Sequence, residues 1–400
     1  MTFDHPALKR APFYLTCGSA VAILFSIAIS QILLALAFAA LLLSGGRMRF
    51  PPIKIPLALF FLGTVISMAL ADTPSIGTPQ IRKFFVYLIL LLVYSTFQRL
   101  EEVVAVVLAW AGVAGLSAMR SLFQFLQKYR ESQDQAKGFY DYYVGERITG
   151  FTSHWMTFGG EEMIVLLMLG AFLLLIPRSR WKIAGSVCAA ILMASMLLGF
   201  TRGIWLGTFA GGMYLVWLWR KWVVVALPVA LALALLVSPG WMRERVTSSF
   251  KPHGDTDSNQ FRVVVWRTGW AMIQAHPWFG LGPEEVKAEL PRYIPADIPR
   301  PLPTGWYGHL HSIYLHYAAE RGIPTMLALM WMLGKILHDF VRAVRRKPVR
   351  AEARVVLHGA IAVLIGILVV GFFELNLGDS EVLTMFLTVT GFGYIARESA

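Results

Sequence analysis

Apolar residues along this chain gather into long blocks, near 12–28, 30–45, 55–71, 82–97, 103–126, 157–177, 182–199, 203–219, 222–238, 323–342, 355–373 and 379–396. The blocks run to about 16–24 residues, the length that carries a helix across the hydrocarbon of a bilayer. The expectation is an all-α polytopic membrane protein with about twelve transmembrane helices. Residues 12–45, taken as one helix, would reach about 50 Å against a core of about 30 Å, so a turn is predicted near Ser30. The first block runs on into the second with no small-residue cleavage site, and no cleavable signal is expected.

Composition agrees with that pattern. Of the 400 residues 56% are hydrophobic and 15% charged, whereas soluble domains carry about 25% charged residues. The net charge of +12 would suit a nucleic-acid binder, but its placement argues otherwise. Lys9, Arg10, Arg47, Arg49, Lys54, Arg99, Arg178, Arg180, Lys182, Arg220, Lys221, Arg342, Arg345, Arg346, Lys347, Arg350 and Arg354 all fall in loops of one parity. Positive loops stay in the cytoplasm. The reading is therefore a bacterial inner-membrane protein, multi-pass, with both termini cytoplasmic and no nucleic-acid partner. Cys17 and Cys188 sit inside apolar blocks without metal-ligand spacing and read as small core residues.

The opposite, periplasmic face carries the polar segments. Residues 127–156 form a medium loop and residues 239–310 a long one, giving three regions: 1–238, 239–310 and 311–400. Inside the long loop a helix is predicted from Arg262 to Ala275, a shorter one over Glu284–Leu290, and a Pro-rich run from Pro291 to Pro303. Trp266 and Trp270, four apart, suit a membrane interface.

Four groups on this face bring candidate chemistry. Arg147 precedes the sixth span, Arg202 sits in the short turn between the seventh and eighth, and Arg262 and Arg267 open the loop helix. A lone arginine at a helix end ordinarily anchors at the headgroups. Several on one face instead suit a phosphate-bearing, lipid-linked ligand, because each offers a planar fork to phosphate oxygens. His311, with Gly305 and Gly308 upstream, is expected in the first turn of a helix. The helix dipole there disfavours imidazolium and leaves a neutral ring able to act as a general base. A structural histidine bonded to a carbonyl is the plainer reading. His309 with His311 also allows a metal site, though no third ligand stands at a suitable offset. Asp255-Thr256-Asp257 reads as a solvated turn, with cation binding as the alternative. Gly280-Leu281-Gly282 follows no predicted strand and reads as a turn. Glu161 and Glu162 are expected at the headgroups.

Taken together, these residues resemble a known family. Arg262-x3-Trp266-Arg267 followed by His276-Pro277-Trp278-Phe279-Gly280-Leu281-Gly282-Pro283, and His311-Ser312-x-Tyr314-Leu315-x4-Glu320-x-Gly322, are similar to two signatures of the O-antigen ligase and polymerase superfamily. Arg147-x2-Gly150-Phe151 and Thr201-Arg202-Gly203 resemble its two earlier motifs. Ser312 departs from the asparagine that follows the histidine in many relatives.

The resemblance implies a C-type-glycosyltransferase-like fold and a metal-independent, inverting enzyme without cofactor. Its donor would be an undecaprenyl-pyrophosphate-linked glycan and its acceptor a lipid A-core sugar, making it an O-antigen ligase of lipopolysaccharide biosynthesis. His311 would be the general base. Arg202 and Arg262, with Arg147 and Arg267 as further candidates, would hold the donor pyrophosphate. A polymerase or a protein O-oligosaccharyltransferase using the same donor are the alternatives. A transporter or flippase fits less well, because the ionisable residues gather at one face rather than at mid-membrane.

Overall fold

A computed structural model describes residues 6–134, 138–176, 179–248, 258–346 and 350–399, and these are mostly helical with no strand among them. The Asp255–Asp257 run, Arg178 and Lys347 lie outside the described residues. The helices are α1 (Pro6–Ala22), α2 (Ile27–Leu43), α3 (Lys54–Leu70), α4 (Thr78–Arg82), α5 (Leu88–Thr96), α6 (Leu100–Gln133), α7 (Phe139–Gly145), α8 (Trp155–Leu175) and α9 (Lys182–Leu198). There follow α10 (Arg202–Trp219), α11 (Val223–Leu236), α12 (Gly240–Thr247), α13 (Ser258–Ala275), α14 (Val286–Tyr293), α15 (Ile313–Val344), α16 (Ala351–Val370) and α17 (Ser380–Glu398).

Pro74–Thr96, Leu100–Gln133, Trp155–Leu175 and Ala351–Val370 are each long and apolar enough to cross a bilayer, and α2, α3, α9 and α11 are apolar but shorter. Ile183 is 81% and Val225 71% exposed, and α11 buries none of its residues. An apolar helix left bare on this scale fits lipid rather than water. The chain is an all-α membrane protein.

The turn between α1 and α2 falls at 23–26, not near Ser30. Ser26 ends the run by capping α2, its hydroxyl accepting from the Ile29 N–H at 3.3 Å. Ser30 lies within α2, where it and Ser19 donate to each other's carbonyls at 2.8 Å, pinning α1 to α2. Glu161 and Glu162 also depart from expectation. Both are buried within protein on α8, 2% and 1% exposed.

At the centre α8 and α16 are buried on most sides, with α10 laid along them. Gly203, Gly207 and Gly211 recur every four residues and so share one face of α10. A Cβ at Gly207 would stand 2.8 Å from the Gly366 carbonyl, and one at Gly211 would stand 2.5 Å from that of Ala362. Small residues at this spacing let two backbones approach closely in a membrane. At the same helix's start, Gly203 itself lies against residues 373–374.

α15 begins ten residues before the span expected at 323. It is broken at Gly322 (φ 79°, ψ 161°), with Pro324 just beyond. The break receives the turn at 277–282. Leu281 N–H donates to Ala319 O at 2.9 Å, Gly282 N–H to Glu320 O at 2.8 Å, and Ile323 N–H to Pro277 O at 2.8 Å. Gly280, at φ +68°, would place a Cβ 2.2 Å from the Glu320 carbonyl carbon. The two motifs found far apart in sequence are thus one interlocked unit.

Candidate active site

His311 precedes α15 and does not lie in its first turn. Ser312 is the N-cap, accepting from the Leu315 N–H at 3.4 Å, so the helix starts one residue later than a histidine-led start would place it. The serine that follows the motif histidine therefore acts as a cap. His311 itself adopts φ +46°, an uncommon conformation for a residue with a Cβ, and is 8% exposed. Its Nδ1 lies 3.1 Å from Glu374 Oε2 and its Nε2 3.2 Å from the Trp306 carbonyl oxygen. Both neighbours are acceptors, and a neutral imidazole has one N–H, so it donates to only one of them.

Glu374 sits in the turn between α16 and α17, buried, and bridges two sides of the site. One carboxylate oxygen faces His311; the other takes a hydrogen bond from Arg262 Nη2. Burial by itself would raise its pKa. The His311 hydrogen bond and the Arg262 charge outweigh that and hold the carboxyl below its ordinary value. Arg262 keeps a buried Nε with no acceptor.

The other arginines fall into two sets. Arg202 is the first residue of α10 and donates to Ser248 Oγ at 3.3 Å and Asn259 Oδ1 at 3.1 Å. Its neighbour Gly203 would place a Cβ 3.7 Å from Glu374 Cγ, so this motif abuts the same turn. Arg147 donates through Nε to Val144 O at 3.0 Å and packs over Trp155, 5.2 Å from the ring centre. Burial, then the charge of Arg245 and that of Arg262, lower the Arg147 pKa, opposed by Glu374. Arg147, Arg245 and Arg262 thus lie within electrostatic reach of one another, with Glu374 as their counter-charge. Arg267 is not part of this group. Five residues from Arg262 on α13, it points to Asp297 at 2.8 Å, and both side chains are about half-exposed.

Two groups escaped the sequence reading. Arg245 is buried on α12, donating to Phe200 O at 2.9 Å. Nothing in a short polar segment signals that. Glu374 follows an apolar block and carries no motif. Its one sequence signal is a carboxylate at a span end on the arginine-bearing face.

His309 lies close to His311, ring centres 4.0 Å apart with the planes tilted by 55°. Among the described residues no three His, Cys, Asp or Glu side chains converge as metal ligands. The paired tryptophans of α13 divide, Trp266 packing towards Phe373 and Trp270 57% exposed. Cys17 and Cys188 are free thiols, and Cys188 donates to Ala111 O at 2.8 Å.

Compared with known families, residues 187–330 match the one described as O-antigen ligase. That stretch takes in Arg202, Arg262, His311 and the interlocked turn, while Arg147 and Glu374 lie outside it. No curated protein matches the chain.

Proposed function

We infer that this chain, whose residues 187–330 match the family described as O-antigen ligase, is an enzyme that moves a glycan from a polyprenyl pyrophosphate to a hydroxyl of a lipid-borne sugar. In its most specific form this is an O-antigen ligase, taking undecaprenyl-pyrophosphate-linked glycan to the lipid A core at the periplasmic face of the inner membrane. The observation that carries the reading is the His311–Glu374–Arg262 bridge, with the Arg202 motif packed on the same turn.

The acceptor oxygen attacks the anomeric carbon while His311 Nε2 takes its proton. The bond from that carbon to the phosphate oxygen breaks, and its electron pair leaves with the polyprenyl pyrophosphate. Attack from the face opposite the leaving group inverts the centre. Glu374 holds Nδ1–H and so keeps the Nε2 lone pair for the acceptor; it then stabilises the imidazolium that forms, the role a carboxylate plays beside a catalytic histidine. Arg262 and Arg202, with Arg147 behind them, neutralise the departing charge. Arg202 stands at the first residue of a helix, where free backbone N–H groups also face an anion. The pyrophosphate is a stable leaving group, and this scheme places no general acid beside it.

The proposed topology has twelve crossings, with α4 and α5 sharing the fourth and the last three supplied by the later part of α15, α16 and α17. Regions 1–238 and 311–400 form the membrane body, and 239–310 covers the donor headgroup while the polyprenyl tail stays in lipid.

Purified protein in lipid, given undecaprenyl-pyrophosphate glycan with and without core-only lipopolysaccharide, tests the reading. Glycan on the core lipid is the expected product. Longer glycan on the carrier without acceptor would make the protein a polymerase. His311→Ala should lower turnover by about 10²–10⁴ with donor binding intact. Arg262→Ala should weaken donor binding itself.

A further inference from the structure

We propose that the cavity beside His311 is the subsite for the acceptor sugar, a hydroxyl-rich pyranose held between Trp306 and the His316–Glu320 pair; this rests on the transferase reading above. The cavity encloses about 190 Å³ and is lined by Gln80, Glu284, Trp306, His316, Glu320 and Asp379 among others. Carboxylates and an amide around one indole form the set that recognises a sugar. The polar groups take the hydroxyls, and the aromatic face takes the apolar side of the ring.

Two of the lining residues have hydrogen-bonding capacity that the protein leaves unused. Glu320 is 1% and His316 6% exposed. Glu320 Oε1 accepts from the Glu284 N–H at 2.7 Å and lies 3.2 Å from His316 Nε2. Glu320 Oε2 and His316 Nδ1, both buried, have no hydrogen-bond partner. Oε2 forms an ion pair with Arg321 Nε at 3.7 Å, too long for a hydrogen bond, and that Nε likewise has no hydrogen-bond partner. Buried polar atoms are ordinarily satisfied, and leaving one unpaired costs about 1–3 kcal/mol. Both atoms are closed to solvent, so a ligand hydroxyl meets them once the His316–Glu320 pair turns towards the cavity.

The cavity wall also adjoins the reacting atoms. His309 and Trp306 belong to its wall and also touch His311, His309 through ring centres 4.0 Å apart and Trp306 through its carbonyl at 3.2 Å from Nε2. With the proton on Nδ1 against Glu374, the Nε2 lone pair faces that carbonyl oxygen, an unfavourable pairing. An acceptor hydroxyl arriving from the cavity replaces the carbonyl and donates to Nε2, the hydrogen bond along which its proton later moves to His311. The Trp306 carbonyl thus marks where the attacking oxygen belongs.

Lys287 is an exposed residue of the cavity wall with no part in the His311 bridge, so Lys287→Trp narrows the entrance at small risk to folding. His316→Ala removes one of the proposed hydroxyl contacts from within. Each should raise the apparent KM for core-only lipopolysaccharide by about tenfold, the scale of one or two lost hydrogen bonds, and leave the donor KM unchanged. Unchanged acceptor KM in both, with wild type transferring normally, overturns the subsite. Absence of transfer by wild type overturns the transferase reading instead. The subsite is then judged separately by titrating methyl glucoside against the ¹⁵N-histidine signals. A shift at His316 that Lys287→Trp abolishes supports it, and no shift in wild type overturns it.

Discussion

His309 shows how strongly the site acts on a single side chain. Burial, aided by His311, His316, His154 and Arg262, pushes its imidazole down to about 2, against about 6.5 in an unfolded chain. The folded state therefore holds His309 neutral, while the unfolded state takes up a proton as the pH falls below about 6.5. Its contribution to stability is complete above that value and declines below it, by up to about 1.4 kcal/mol per pH unit. The thermal midpoint of the wild type in detergent should fall between pH 7 and pH 5, and His309→Gln should flatten that fall. Equal slopes for the two proteins would contradict the neutral assignment. Glu374 makes the complementary point. A buried carboxylate is kept charged because His311 and Arg262 both face it. Removing one member of so buried a set leaves the others unpaired.

Among the elements, the junction of the 277–282 turn with the break in α15 carries the sharpest steric test. Gly280→Ala would force a Cβ against the Glu320 backbone at φ +68°, and the backbone conformation alone costs about 1–3 kcal/mol for other residues. Gly334→Ala, further along α15 at an exposed position with nothing within 4 Å of the new Cβ, should be neutral or stabilise by up to about 1 kcal/mol through helix propensity. Thermal unfolding of both variants separates these outcomes, and an undisturbed Gly280→Ala would remove the interlock from the account. The apolar blocks made most of the long helices legible in the sequence, because burial in lipid needs little beyond composition and length. Junctions were less so. The α1–α2 turn went to the Ser26 cap rather than Ser30, and Ser312 rather than a histidine starts α15, since a cap is decided by one hydroxyl among several nearby. The arginine and histidine motifs marked His311, Arg202 and Arg262. Glu374 and Arg245 are defined by what they touch across the fold, which no local pattern states, and the same cause sends Arg267 to Asp297.

Across the whole molecule the two ends differ in kind. At one end the backbone N–H of Arg49 donates to Ser95 Oγ at 2.8 Å, and Arg49 and Tyr94 both meet Glu398. The loop before α3, the end of α5 and the C-terminal end of α17 therefore share a face. At the other end Lys83 Nζ donates to Gly378 O at 3.0 Å, Tyr143 to Leu198 O at 2.6 Å, and the Ile313 N–H to Gly371 O at 2.8 Å. Those connections alternate with the first set along the chain, and His311, Glu374 and the site arginines lie among them. Lysine and arginine abound in the connections of the first set, which the positive-inside rule assigns to the cytoplasm. Glu146 and Arg180 are exposed on connections of opposite parity. With Cys17 and Cys188 replaced by alanine, Glu146→Cys should react with a membrane-impermeant maleimide in intact spheroplasts. Arg180→Cys should react only after permeabilisation. The reverse pattern would put the histidine on the cytoplasmic side, where the donor glycan would need no crossing before transfer. Labelling of both from outside would break the alternation on which twelve crossings depend.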